Sequence, residues 1–161
     1  MSHSFLLRPI GFVRGGREEP VDDAWDQVVS SIEIDPDFGP ESLTGLDAFS
    51  HIEVVFLFHR VDESAIVRSA RHPRGRTDWP KVGIFAQRGK DRPNRIGVTV
   101  CKLLGVDGGA VKVAGLDAIS GTPVLDLKPC MRGFLPRGDV REPAWATELM
   151  REYWFSGKPQ G

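Results

Sequence analysis

The segment Gly83-Ile-Phe-Ala-Gln-Arg-Gly-Lys-Asp-Arg-Pro-Asn-Arg-Ile-Gly97 joins two apolar runs through a short basic stretch. Its first residues, Gly83 to Ala86, predict a buried strand, and the apolar run from Ile96 to Val100 predicts a second strand. Between them the Pro93-Asn94 pair is typical of a turn, because proline fixes φ and asparagine hydrogen-bonds its own backbone. We therefore predict a strand, a basic turn and a second strand, with the phenylalanine of the segment anchored in the core.

Four basic side chains crowd this turn: Arg88, Lys90, Arg92 and Arg95. A tight turn that carries several cationic groups and leaves backbone N–H groups free is suited to binding a carboxylate or a phosphate. The alternative is a solvated hairpin tip, since charged side chains usually lie at the surface. Apolar anchors at both ends of the turn favour the anion site.

The composition is that of an ordinary globular domain. The chain has 161 residues, of which 40% are hydrophobic and 27% charged, and these fractions exclude collagen-like, coiled-coil and disordered chains. We expect one domain over residues 1–161, with a core at about 5–130 and a C-terminal helix at about 143–155.

The two cysteines, Cys101 and Cys130, lie in different segments without a Cys-x-x-Cys or His-rich partner. Neither a disulfide framework nor a metal site is predicted, and a reducing cytoplasm is the expected compartment. No apolar run approaches the ~20 residues that span a bilayer, and the N-terminus lacks the features of a signal peptide. We expect a cytoplasmic protein without a membrane segment.

The charges are strongly segregated along the chain. Residues 18–63 hold 13 acidic side chains against the single base Arg60, whereas residues 64–95 hold 9 basic side chains against Asp78 and Asp91. Such a basic block attracts polyanions, and the nucleic-acid backbone is the commonest one. The alternative is that the block pairs with the acidic third inside the fold or across a dimer.

Several short strands and one late helix are predicted. Beyond the two strands of the opening segment, the second of which continues to Leu104, the apolar patterns place strands at residues 5–13, 28–34, 52–58, 110–116 and 124–127. Residues 41–50 predict short helical turns, and residues 138–155 predict one amphipathic helix with Pro143 at its first position. Seven or so strands without strand-helix alternation indicate a mainly β barrel or sandwich and argue against a Rossmann domain.

Polar residues at the ends of predicted strands are candidates for chemistry. His59 follows the most apolar strand, and Asp117 and Asp126 flank the Gly121-Thr122-Pro123 turn, where two carboxylates are expected to converge. The alternatives are a structural histidine and turn-capping aspartates.

Three motifs together resemble the TsaA-like family, also known as YaeB or TrmO. They are Gly83-Ile-Phe-Ala-Gln-Arg88, Arg92-Pro-Asn-Arg-Ile-Gly97, and Leu116-Asp-Ala-Ile-Ser-Gly-Thr-Pro-Val-Leu-Asp-Leu-Lys-Pro129. The family pattern has proline where this chain has Arg95, and tyrosine where it has Cys130. The resemblance covers about residues 10–129 and implies a small β-barrel of about seven strands, with short helical turns and one C-terminal helix.

The resemblance also implies an activity, a cofactor and a partner. Members of this family bind S-adenosylmethionine and methylate N6 of threonylcarbamoyladenosine at position 37, in the anticodon loop of tRNA. They are homodimers, with the cofactor pocket near the interface. The implied cofactor-binding residues here are Gln27, Val28, Val29, His59, Arg60, Arg88, Arg92, Asn94, Gly97, Val98, Leu116, Asp117, Gly121, Thr122 and Pro123.

The chemistry of the reaction assigns roles to particular side chains. Arg88 or Arg92 is expected to bind the carboxylate of the donor, and Asp126, Asp117 or His59 to accept the N6 proton. RNA phosphates are expected at the basic residues Arg71, Arg74, Arg76, Lys81, Lys90 and Arg95. Two alternatives remain open at this point: a methyltransferase with a non-RNA substrate, and a non-enzymatic nucleic-acid-binding barrel.

Overall fold

The computed structural model describes residues 2–155. Its eight strands and one α-helix are β1 (Gly11–Arg14), β2 (Val29–Ile34), β3 (His51–Leu57), β4 (Ala70–Arg71), β5 (Val82–Gly83), β6 (Ile96–Asp107), β7 (Ala110–Ala114), β8 (Pro123–Pro129) and α1 (Ala144–Met150). Short 3-10 turns lie at Pro36–Phe38, Pro40–Leu43, Leu46–Ala48, Glu63–Ala65, Pro73–Gly75, Ile84–Ala86, Pro93–Arg95 and Arg132–Phe134.

Six strands close a barrel in the order β1-β2-β7-β6-β3-β8, and every neighbouring pair is antiparallel. The predicted mainly β barrel with short helical turns and a late helix is confirmed, with six strands in the barrel instead of about seven. β4 and β5 form a separate two-stranded sheet. The single domain over residues 1–161 stays a prediction.

Alternation along the strands fills the barrel. In β3 the side chains of Ile52, Val54 and Phe56 are fully buried, as expected when one strand face points inward. Val111 and Val113 of β7 complete the same core. β6 and β7, at the positions of two predicted strands, form an antiparallel hairpin around Asp107-Gly108-Gly109.

The first half of the opening segment is not the buried strand that the sequence predicts. Only Val82 and Gly83 are extended, and they pair with β4 outside the barrel. The next three residues, Ile84–Ala86, form a 3-10 turn, so that Ile84 is buried while Phe85 is 78% exposed. The prediction was wrong because a turn of three residues per repeat directs only one of its apolar side chains inward.

Both ends of the chain also differ from prediction. The first strand begins at Gly11 rather than at Phe5, whose side chain is 88% exposed, and Pro9 has no N–H to extend the ladder. The late helix covers only Ala144–Met150, with Pro143 as its cap. α1 is the longest helix between residues 2 and 155, and none of the helices there could span a bilayer.

Candidate functional site

Strand β6 is paired on both sides over only part of its length. On the β3 side its first seven residues are all paired, whereas β7 pairs only from Lys102 onward. Antiparallel strands alternate the residues whose backbone groups face each neighbour. The Arg95 carbonyl accepts a hydrogen bond from the β3 side, so Val98 and Val100 direct their backbone groups to the unpaired side. We call this side of residues 96–101 the open edge of β6.

Arg88 lies against the open edge. Its Nη2 donates to the Val98 carbonyl at 2.7 Å, and the residue is exposed. Arg92, the other predicted carboxylate partner, donates instead to the Gln87 carbonyl of its own turn at 2.6 Å. Because a guanidinium carries five N–H donors, Arg88 keeps donors for an anion at this edge.

Asp117 is held next to the same strand by two hydroxyl groups. The Thr99 hydroxyl donates to Oδ1, and the Tyr153 hydroxyl donates to Oδ2. Both carboxylate oxygens therefore have a donor. Burial, followed by the negative charge of Asp117, raises the pKa of the Tyr153 hydroxyl, so it remains a neutral donor at physiological pH.

The start of β2 runs beside the segment that leads to Asp117. The Gly115 N–H donates to the Val28 carbonyl at 3.0 Å. Gln27 is exposed, and its side-chain amide donates a hydrogen bond to the Asp26 carboxylate. Val29 is 44% exposed. The predicted residues at this end of β2 and the segment leading to Asp117 are thus brought together.

Two predicted pocket residues face the barrel interior. Leu116 is fully buried in the core. A Cβ on Gly97 would lie 2.5 Å from the ring of Phe56, so the space above this glycine is occupied by an aromatic side chain. Their packing positions the open edge from inside.

The Gly121-Thr122-Pro123 turn lies beside His59. A Cβ on Gly121 would be 3.8 Å from Nε2 of His59, and the Gly121 N–H donates to the Val13 carbonyl at 2.7 Å. Burial, with the neighbouring charge of Arg60, lowers the pKa of His59, so its imidazole is neutral at pH 7 and can accept a proton. Arg60 itself donates to the Glu18 carbonyl at 3.0 Å.

Asp126 occupies a different environment from Asp117. It pairs with Val55 in the barrel ladder, and its carboxylate lies 2.8 Å from Nζ of Lys128. Its other oxygen accepts the Leu127 N–H at 2.9 Å. Between residues 2 and 155 the two carboxylates have different hydrogen-bond partners, and their convergence stays a prediction.

Three arginines predicted to bind RNA are already engaged in ion pairs. Arg71 pairs with Asp91 at 2.8 Å, Arg74 pairs with Asp23 at 2.9 Å, and Arg76 pairs with Asp78 and Glu148. Pairing of the basic block with the acidic third is therefore observed at Asp23, as one of the two sequence interpretations expects.

The remaining predicted RNA-binding residues differ in exposure. Lys81 and Lys90 are exposed. Arg95 is half-buried and donates to the Val61 carbonyl at 2.9 Å, and both Asn94 and Arg95 have left-handed φ angles, 63° and 52°. A cavity of about 230 Å³ lies on this side of the turn, lined by Glu63, Ile66, Arg68, Pro93, Asn94 and Arg95.

Comparison with known proteins assigns this barrel to a family. The family model of the tRNA-methyltransferase O N-terminal domain matches residues 17–134. The chain belongs to that family.

Similar proteins include one from human, one from an archaeon and one from a bacterium. A human tRNA (adenine(37)-N6)-methyltransferase is 41% identical over 102 residues, which are 63% of this chain and 23% of the human protein. A probable S-adenosyl-L-methionine-binding protein of Pyrococcus abyssi is 34% identical over 141 residues, covering 84% of this chain and 71% of that protein. The crystal structure of TrmO from Pseudomonas aeruginosa matches with a TM-score of 0.68 and 32% identity, over 88% of this chain and 62% of that one. This chain therefore spans about a quarter of the human relative.

The sequence did not indicate three residues that order the site in this family barrel. Thr99 looks like an ordinary strand residue, and Tyr153 lies 36 residues from the carboxylate that it contacts. The only available signal for Tyr153 is that it is the single tyrosine of the chain. Gln87 was also missed: its buried amide donates to the carbonyls of Arg71 and Val82 and so fixes the start of the basic turn.

Proposed function

We propose that this chain transfers a methyl group from S-adenosylmethionine to N6 of the adenosine at position 37 of tRNA, with the threonylcarbamoyl-modified base in the anticodon loop as acceptor. The observation that carries this proposal is the cluster at the open edge of β6, where Arg88, the backbone of Val98 and the Asp117 carboxylate lie together in a barrel of the tRNA-methyltransferase O family. The names of the human and archaeal relatives support both the reaction and the methyl donor.

The residues present suit S-adenosylmethionine, which supplies an activated methyl group when bound. Its carboxylate matches a guanidinium with free donors, which Arg88 offers at the open edge. Its adenine and ribose require backbone polar groups beside apolar surface, and Val98 offers both at the open edge. The N–H groups of Gly121 and Thr122 are already bonded to the carbonyls of Val13 and Ile119, so the Gly121-Thr122-Pro123 turn would serve as a wall of the pocket. The remaining predicted donor contacts, from Gln27 to Val29 and at Arg60, Arg92 and Asn94, belong to the same proposal.

Positioning is the main task of the chain in this reaction, because an activated donor needs only an aligned nucleophile. Among the three predicted proton acceptors, His59 fits best. Both oxygens of Asp117 are occupied by hydroxyl donors, and Asp126 is paired with Lys128, whereas the lowered pKa of His59 leaves a neutral imidazole.

The proposed RNA contacts start from the exposed cations. Lys81 and Lys90 are exposed, and phosphates bound there would flank a base splayed from a single-stranded loop. Arg71, Arg74, Arg76 and Arg95 would join only by exchanging their present partners for phosphate oxygens. The compartment that goes with a tRNA substrate is the cytoplasm.

We also propose a homodimer whose interface lies near the open edge. Val98 and Val100 point out of the barrel there and are 36% and 43% exposed. An unpaired strand edge with outward valines is the type of surface that a second chain covers.

The proposed function is tested by incubating the protein and S-adenosylmethionine with tRNA that carries threonylcarbamoyladenosine at position 37 but lacks its N6 methyl group. We expect nucleoside mass spectrometry to detect N6-methylated threonylcarbamoyladenosine, and Lys81→Glu with Lys90→Glu to raise the KM for tRNA about tenfold or more by removing phosphate contacts. Lys112→Glu, an exposed cation on β7, is the matched control and should leave KM unchanged. Binding of the donor without any methylation of tRNA would contradict the RNA substrate and favour a methyltransferase with a non-RNA substrate. The ion pairs of Arg71, Arg74 and Arg76 also favour that alternative, because these side chains are not free to bind phosphates.

A further inference from the structure

The C-terminal segment of the described chain docks onto the loop that precedes β2. The N–H groups of Ala24, Trp25 and Asp26 donate in succession to the carbonyls of residues 152, 153 and 154 at 3.0–3.1 Å. Trp25 is 3% exposed and sits under the guanidinium of Arg17. The backbone of Tyr153 is therefore held in place independently of its side chain.

The same segment is tied to the basic loop, residues 69–81, through α1. Glu148 accepts a hydrogen bond from Nε1 of Trp79 at 2.9 Å, and Trp145 packs against the Trp79 ring with centroids 6.5 Å apart. The segment therefore has two attachments: one before Tyr153, on the basic loop, and one at Tyr153 and its neighbours, on the loop that leads to Gln27.

The Tyr153 side chain then reaches the candidate site. Its hydroxyl donates to Asp117 on the oxygen that Thr99 does not use. The positive charges of Arg74 and Arg88 lower the pKa of Tyr153 and so partly offset the increase that burial and Asp117 cause. Both guanidinium groups are therefore near this hydroxyl. Tyr153 therefore connects the C-terminal segment, the Asp117 carboxylate and the neighbourhood of Arg88.

We infer that Tyr153 is a positioning residue of the donor site: its hydroxyl fixes the Asp117 carboxylate against Thr99, while its backbone fixes the loop that leads into Gln27–Val29. This role rests on the proposed function, since it names a residue that orders the same site. Asp117 acts in it as an oriented anion beside the open edge and not as a free base.

The variant Tyr153→Phe tests the inference. The phenylalanine ring and the three backbone hydrogen bonds remain, so the segment still docks, but one oxygen of Asp117 loses its donor. We expect the dissociation constant for S-adenosylmethionine to rise about tenfold and kcat for methyl transfer to fall by a similar factor, in line with the loss of a hydrogen bond to a charged group. Thr147→Ala, which removes an exposed hydroxyl from α1, should change neither quantity.

A second readout is independent of activity, because Tyr153 is the only tyrosine of the chain. Protein labelled with ¹³C at tyrosine Cζ gives a single resonance from this site. We expect the resonance to shift on addition of S-adenosylmethionine and, at neutral pH, to move in Asp117→Asn, since the charged acceptor of the Tyr153 hydroxyl is replaced by a neutral amide.

The outcomes separate the two proposals. Unchanged donor affinity and kcat in Tyr153→Phe, with a wild type that binds the donor and methylates tRNA, would overturn the positioning role alone. A tyrosine Cζ resonance at the same position in the wild type and in folded Asp117→Asn would overturn the contact itself. A folded wild type that does not bind the donor would overturn the proposed function and, with it, this inference.

Discussion

Cys101 and Cys130 are both free thiols, but their surroundings differ. Cys101 is 3% exposed on the inward face of β6, and burial, followed by the negative charge of Asp117, raises its pKa to about 12. Cys130 follows β8 and is half-buried. Because the thiolate is the reactive form, these environments predict different reactivity.

With an aromatic disulfide reagent at pH 8, we expect one thiol of the native protein to react and the second to react only after unfolding. Cys130→Ser should remove the fast phase and Cys101→Ser the slow one. A fast phase that survives in Cys130→Ser would contradict the buried position of Cys101.

Titration of Cys101 also predicts a dependence of stability on pH. Its folded pKa lies above the ordinary value of 9.0, so the free energy of unfolding should decrease as the pH rises from about 9 towards 12, where the unfolded chain releases the proton more readily. Urea unfolding at two pH values measures this loss, which Cys101→Ala should reduce.

Asp117 illustrates how far single residues could be predicted. Its position before a Gly-Thr-Pro turn marked it as a candidate carboxylate, and the structure places it beside β6. Its partner Tyr153 could not be predicted, because the contact depends on where the C-terminal segment docks and not on any local pattern. Asp126 was predicted from the same turn, and its place in β8 depends on a bulge in the ladder with β3 that no local pattern indicates.

At the level of elements, Gly97 allows β6 to pack closely against the rings of Phe56 and Phe58. A Cβ at this position would lie 2.5 Å from the Phe56 ring and 2.9 Å from the Phe58 ring, which pack edge to face with centroids 5.3 Å apart. Gly105, later in the same strand, has nothing within 4 Å of its Cβ position.

These two glycines form a matched pair for mutagenesis. We expect Gly97→Ala to lower the free energy of unfolding by about 1–3 kcal/mol, because an added methyl group overpacks the core. Gly105→Ala should be neutral or slightly stabilising, since alanine costs less backbone entropy than glycine. Denaturant unfolding of both variants measures the difference, and equal effects would contradict the packing around Phe56.

Elements with a clear apolar period were the ones that the sequence predicted well. β3 and the β6–β7 hairpin agree with prediction to within a few residues, because burial of one face dictates alternation. The buried strand predicted around Phe85 was wrong, because a short apolar run does not distinguish a strand from a 3-10 turn. The helix predicted to continue to about residue 155 ends at Met150. The carbonyls of residues 152–154 instead accept hydrogen bonds from the backbone of residues 24–26.

At the level of the whole molecule, some of the segregated charges form ion pairs within the fold, and others remain exposed to solvent. Arg74 and Asp23, 51 residues apart, join the basic loop to the acidic third. Lys81 and Lys90 remain exposed. The composition alone predicted the basic block but not this division, which depends on the folded positions of the carboxylates.

The proposed dimer is tested by the mass of the protein in solution. We expect light scattering to give twice the chain mass for the wild type, and Val100→Glu to shift the equilibrium towards monomer by placing a charge in the apolar interface. Val140→Glu, at a position 70% exposed and away from the barrel strands, is the control. A wild-type monomer at concentrations that support methyl transfer would contradict the dimer.

The central claim is that Arg88 at the open edge of β6 holds the methyl donor, and calorimetric titration with S-adenosylmethionine tests it most directly. We expect the wild type to bind with a micromolar dissociation constant, about −8 kcal/mol. Arg88→Ala should bind at least tenfold more weakly, whereas Arg132→Ala, an exposed arginine beyond β8, should bind like the wild type. Equal affinity of the wild type and Arg88→Ala, or no binding by a folded wild type, would contradict the account.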